Sequence, residues 1–382
     1  MLECRLVGVI LTPYLLSSFL VIFCSLILEK GVYKNYRGDR QQRPMKKGEI
    51  MRKVINLLIS LSLLALPSCT ALKSHGLAPV KYGYVDKGGR MVITPQFDEA
   101  DDFSDGLARV KIGDWGYINR SGKFVINPQF DFADNFYEGL ARVKISHKYG
   151  YIDKDGKIVI NPTFDEGYSF SDGLARVEIG RQAGYINKMG KIVINPQFDE
   201  GDAFSWGLAR VRVGRVWGFI DKTGKIAINP QFDECDTFAE GLARVKVGTR
   251  WGFIDRTGKI VINPQFDNAW NFSDGLALVE IDRRAGYVDK AGKIVVNPQF
   301  GEGRNFTEGL APIKIGGQWG FINKAGKIVM NPQFDEADSF ASGLARVRIG
   351  RRWGYVDKGG KLVITPQFDN AWNFSEGLAR VF

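Results

Sequence analysis

The chain has 382 residues with 45% hydrophobic, 12% aromatic and 25% charged side chains, a balance that excludes a wholly disordered protein. Its formal charge of +10 is concentrated at the front: residues 1–69 hold ten basic side chains against four acidic, and the rest carry 42 against 38. The near balance beyond residue 69 argues against a nucleic-acid surface, and a nucleic-acid partner is not expected.

In chain order, residues 1–50 come first. They contain an apolar run, Leu6 to Leu28, followed by basic residues from Lys30 to Lys47. The run is long enough to span a bilayer, which needs roughly 20 apolar residues. Residues 51–69 repeat the theme on a shorter scale. Arg52 and Lys53 lead into Val54–Leu66, which ends in Leu66-Pro67-Ser68-Cys69. A charged start, a short apolar stretch and a small residue before a cleavage point form a secretory signal peptide. The Leu-Pro-Ser-Cys ending resembles the lipobox of bacterial lipoproteins, and that resemblance implies lipidation at Cys69. A signal peptide that begins 50 residues into the chain fits a true start at Met45 or Met51. The other explanation is a genuine first transmembrane helix. The expectation is an exported, membrane-anchored protein, an outer-membrane or cell-surface lipoprotein.

Residues 70–382 are periodic. A glycine that follows an aromatic in most copies recurs at Gly83, Gly116, Gly150, Gly184, Gly218, Gly252, Gly286, Gly320 and Gly354, and a proline follows each one twelve residues later. The spacing is 33 once and then 34 throughout. The repeat therefore sets the architecture of this region.

One unit contains three strand patterns. Leu242–Val247 alternates as a half-buried strand does. Trp251–Asp255 is rich in strand formers, and Asp255-Arg256-Thr257-Gly258-Lys259 is a hairpin in which Asp255 caps the turn and Gly258 takes a positive φ. Ile260–Phe266 is the third strand, and its Pro264 belongs at an edge. A polar connector follows. Its recurring phenylalanine (Phe272 here) is read as a plug in the core. Cys235 stands where other copies have Ala or Gly, so it is read as a small buried side chain without a disulfide partner.

The pattern Trp115-Gly116-Tyr117-Ile118, Trp251-Gly252-Phe253-Ile254 and Trp353-Gly354-Tyr355-Val356, each with its downstream Pro-Gln-Phe, resembles the WG repeat, also called the KWG repeat. The resemblance implies an all-β repeat of bacterial, often exported, proteins and no defined activity. The fold expectation is all-β: nine three-stranded antiparallel meanders stacked side by side. An open superhelical array is preferred, because nine blades exceed the usual range for a propeller. The chain ends in Gly377-Leu378-Ala379-Arg380-Val381-Phe382, and this final strand either caps the ninth unit or, in the alternative of a closed propeller-like toroid, lies beside the first.

No motif breaks the repeat symmetry as a catalytic centre must, so the protein is expected not to be an enzyme. No cofactor and no metal is expected, and the acidic runs Asp98–Asp102 and Asp335–Asp338 read as solvated loops. The recurring arginines, such as Arg109 and Arg244, are expected to pair with connector acids. Three tryptophans fall outside the signature dipeptide, at connector positions where other copies carry residues such as Asp101 or Asp172: Trp206, Trp270 and Trp372. These are the candidate binding residues. A protein partner is the first expectation and a cell-wall glycan the second.

Overall fold

The computed structural model describes residues 80–382. Cys69, both apolar stretches and His75 lie outside the described residues. Among the described residues nine small antiparallel sheets follow one another, eight of them four-stranded and one three-stranded. Eight are continuous in sequence, and we number these blades 1 to 8, from residues 99–130 to residues 336–368. In blade 5, strand a is Glu234–Cys235, b is Leu242–Val247, c is Arg250–Asp255 and d is Ile260–Phe266. Strands b, c and d are the three read from the sequence. Strand a is new: two residues at the head of the connector pair with the end of b, as Glu234↔Lys246 and Cys235↔Val245. Two residues are too few to show a period of two, so this strand was invisible to patterning.

Blade 9 joins the two ends of the repeat region. Leu378–Val381 supplies its strand b, while Tyr82–Asp86 and Met91–Phe97 supply c and d. The register runs Gly83↔Val381, Tyr84↔Arg380, Val85↔Ala379 and Asp86↔Leu378. The open superhelical array is therefore corrected to the alternative: the nine blades close into a propeller ring. The physical reason is the edge. An open array would leave the c strand at Tyr82 with unpaired backbone groups. The terminal b strand carries the complementary half.

The blades pack through apolar faces. One core cluster joins Leu208, Phe219, Ile228 and Phe232 of blade 4 to Cys235, Phe238, Ala243, Val245 and Ile254 of blade 5. The same arrangement seals the ring on both sides of blade 9. Tyr84, Ile93 and Phe97 pack on Ala100, Phe103 and Val110 of blade 1, and Val85, Phe374 and Val381 pack on Leu344, Tyr355 and Ile364 of blade 8. Each connector phenylalanine is buried, as expected of a plug. Phe272 meets Phe253 edge-on with centroids 4.9 Å apart, and Phe136 meets Tyr117 at 4.8 Å. Burying one such ring contributes roughly 1.5–3 kcal/mol.

The signature glycine is explained by close approach. A Cβ at Gly252 would lie 2.5 Å from the Ile262 carbonyl oxygen and 2.6 Å from the Pro264 nitrogen. The d strand bulges over the c strand at that point, where the register shifts between Trp251 and Phe253. The glycine and the proline are thus two halves of one contact. The hairpin Gly258 does adopt a positive φ of 86°, and Asp255 Oδ1 accepts from Thr257 N at 2.9 Å.

Candidate functional site

The signature tryptophans are structural. Trp115, Trp251 and Trp319 are buried, and Trp217 and Trp353 are half-buried. The strand-b arginine lies over the ring, with Arg244 4.6 Å above Trp251 and Arg109 4.7 Å above Trp115. That arginine also pairs with the connector acid of its own blade, as Arg109 with Asp101 at 2.7 Å and Arg244 with Asp236 at 3.1 Å. It donates in addition to a strand-a carbonyl of the next blade: Arg244 to Ala269 and Arg380 to Ala100. Strand b lacks the arginine twice, at Leu278 and Pro312, and in the second case a neighbour supplies it. Pro312 occupies the position in blade 7, and Arg304 of the same connector reaches over Trp319 at 5.0 Å and pairs with Asp338 at 2.7 Å. The arginines hold blades together.

Cys235 is buried against the same layer. Its counterparts Gly167, Gly201 and Gly303 face the hydroxyls of Tyr151, Tyr185 and Tyr287, whereas blade 4 presents Phe219, which has no hydroxyl, to Cys235. Burial pushes the thiol up to about 12, so it stays protonated at neutral pH. Several acids of the two runs form ion pairs. Glu99 meets Lys111 at 2.8 Å, Asp98 meets Lys81, and Asp338 meets Arg346. Among the described residues no group of three or more His, Cys, Asp or Glu side chains is placed to hold a metal ion.

The three candidate tryptophans separate. Trp270 is half-buried against the core between blades 6 and 7. Trp372 is half-buried as well, with centroids 5.7 Å from Tyr82 and 5.8 Å from Phe382 and with Arg380 4.0 Å over its ring. It sits on the ring closure. Trp206 is the exposed one, at 52%.

The position of Trp206 is informative because its counterparts share a task. They form the turn that precedes strand b, with a positive φ of 50–56°. In most copies the residue is an acid, and its carboxylate bridges two neighbours. It accepts from the turn glycine of the next blade: Asp105 from Gly139 at 2.9 Å, Asp172 from Gly207 at 2.6 Å and Glu376 from Gly106 at 3.1 Å. It also pairs with a cation on the following c–d hairpin, as Glu138 with Lys188 at 3.1 Å, Asp274 with Lys324 at 2.6 Å and Glu376 with Arg120 at 2.8 Å. The Glu376 contacts continue this belt across the ring closure. At Trp206 the acid is missing. The cation of that step, Arg256, stands over the turn, so that a Cβ on Gly207 would lie 3.2 Å from its Nη2. A second gap, at Ser342, carries no aromatic side chain. Sequence reasoning found Trp206 but missed Arg256, because their link runs through fifty residues of ring geometry.

A family model described as WG containing repeat matches nine consecutive segments, from 82–114 to 353–382. The chain belongs to the WG-repeat family. No curated protein matches it significantly in sequence. Among solved structures, that of a eukaryotic initiation factor is similar at 9% identity and a TM-score of 0.53, over 78% of this chain and 98% of that one. At that identity the likeness concerns the fold alone. Kluyveromyces lactis Hsv2 aligns at 9% identity and a TM-score of 0.34, over 49% of this WG-repeat chain and 70% of its own. PorZ, a surface component of the type-IX secretion system of Porphyromonas gingivalis, aligns at 9% and 0.31, over 72% and 46%.

Proposed function

We propose that this WG-repeat propeller is a non-enzymatic scaffold that binds a protein partner, with Trp206 and Arg256 at the centre of the contact. The observation that carries this reading is the exposed Trp206 at the one turn of the acid belt where a large aromatic replaces the bridging residue. Tryptophan and arginine are enriched among residues that dominate binding energy, tryptophan through its large rigid surface and arginine through its planar fork of donors. The glycan reading relied on three tryptophans together, and packing takes up Trp270 and Trp372. Part of the proposal concerns location. The lipobox-like ending at Cys69 supports an exported, membrane-anchored protein that carries the ring outside the cytoplasm.

Cross-linking capture from native membranes with the full-length chain tests the first part. Trp206→Ala is expected to lower partner recovery roughly tenfold with an unchanged melting temperature. Equal recovery by wild type and variant refutes the assignment. For the anchor, Cys69→Ser is expected to abolish incorporation of a labelled fatty acid, and persistent labelling contradicts it.

A further inference from the structure

At the end of the strands remote from Trp206, a second repeated carboxylate is missing, and here its absence leaves a cleft. The residue that follows strand d is an aspartate in eight copies: Asp98, Asp131, Asp165, Asp199, Asp233, Asp267, Asp335 and Asp369. The ninth copy has Gly301. The aspartate does two jobs. It accepts from the backbone of the b–c turn ahead of it, as Asp199 from Gly214 at 2.7 Å, Asp335 from Gly350 at 2.6 Å and Asp267 from the Asp282 N–H at 2.7 Å. It also pairs with a cation at the start of the preceding strand c. Five copies carry such a cation: Lys81, Lys148, Arg250, Arg284 and Arg352. Four of them meet their aspartate, as Arg352 meets Asp369 at 2.8 Å, Lys81 meets Asp98, Lys148 meets Asp165 and Arg250 meets Asp267. The fifth, Arg284, faces Gly301 and has no carboxylate within ion-pair distance among the described residues.

The backbone around Gly301 has not moved to compensate. Gly301 N donates to Lys314 O at 3.2 Å, just as Asp199 N donates to Arg212 O at 3.2 Å and Asp335 N to Arg348 O at 3.0 Å. The side chain alone has been deleted. What remains is a cleft of 320 Å³ between blades 6 and 7, lined by Arg284, Gly301, Glu302, Lys314, Gly316 and Gly317. Gly316 is the counterpart of Gly350 and Gly214, whose N–H groups bind the aspartate elsewhere. Gly316 and Gly317 both have positive φ, 60° and 86°. Asp282 and Arg283 form the same kind of turn, and there the first N–H, that of Asp282, reaches Asp267 at 2.7 Å. Lys314 is already paired with Glu302 at 2.8 Å, so Arg284 supplies the unmatched charge.

We propose that this cleft is a carboxylate-binding site, in which an acid group of a ligand takes the place of the missing aspartate side chain. A planar carboxylate suits a guanidinium on one side and a turn N–H on the other, because both point donors into one plane. The site is independent of the Trp206 surface and stands or falls without it.

The repeat supplies its own control. A Cβ on Gly301 would have no heavy atom nearer than Lys314 O, at 3.6 Å, so Gly301→Asp is accommodated and fills the site from within. The test is a titration of the full-length chain, labelled with ¹⁵N-glycine, with acetate, with a capped aspartyl peptide and with inorganic phosphate. The Gly316 amide is expected to shift saturably with both carboxylates. The shift is expected to disappear in Gly301→Asp, and Arg284→Gln is expected to weaken it roughly tenfold. Gly301→Asp is also expected to raise the melting temperature, because it restores the ion pair of the other copies. Tighter binding of the peptide assigns the site to a partner's side chain; equal or tighter binding of acetate assigns it to a free organic acid. The proposal is overturned if Gly316 is unmoved by either carboxylate, if phosphate binds as well as they do, or if Gly301→Asp binds like wild type.

Discussion

At the scale of residues, the signature dipeptide is a steric device. Gly252 permits the d strand to lie against the c strand, where any Cβ would meet backbone atoms that cannot step aside. Gly252→Ala is therefore expected to destabilise the ring by about 1–3 kcal/mol through overpacking, read as a lower melting temperature. Gly241→Ala is the contrast, since its Cβ would meet nothing within 4 Å, though its positive φ adds some strain of its own. Equal melting of wild type and Gly252→Ala would refute the close-approach account. The plug phenylalanines and Cys235 were legible in the sequence, since a residue type that recurs in register announces its environment. Arg256 and Arg284 were not. Their significance lies in the loss of a partner from another blade, and that partner can be named only once the blades are in place.

At the scale of elements, strands b, c and d follow from alternation and turn chemistry, whereas strand a is too short to leave a pattern. The blades are tied by two series of carboxylates, one at each end of the strands. Burial works against ionisation of Asp274, but Lys324 and the Gly309 N–H outweigh it and hold the carboxyl below its ordinary value. Glu308 is lowered in the same way by Lys358 and the Gly343 N–H. A carboxyl whose folded pKa is depressed stabilises the fold above its unfolded pKa and loses that contribution as the pH falls through the folded value. Asp274→Asn is accordingly expected to melt below wild type at pH 7. The difference is expected to shrink as the pH falls below about 4, the ordinary carboxyl value, and through the lower value of the folded state. A difference independent of pH would assign Asp274 a purely steric role. The ring-closing Glu376, with Gly106 and Arg120 as its partners, extends the series across the junction.

At the scale of the whole molecule, the sequence supplied the number of units and their strand order but left closure open. The copy count favoured an open array, and the curvature per blade, which decides closure, is set by the packing of side chains across each interface. Tyr84 with Phe103 and Val85 with Tyr355 reproduce on either side of blade 9 the contacts found between the other blades. A ring built this way presents two opposite rims with nearly the same side chains nine times over. Trp206 and Gly301 are informative because they depart from that sameness.

Hydrogen exchange at the amides of Leu378–Val381 tests closure most directly. In the ring these residues pair with Tyr82–Asp86, and their protection is expected to equal that of the equivalent strand Leu344–Ile349. Exchange as fast as that of an unpaired chain end, with Leu344–Ile349 protected, would contradict the closed ring.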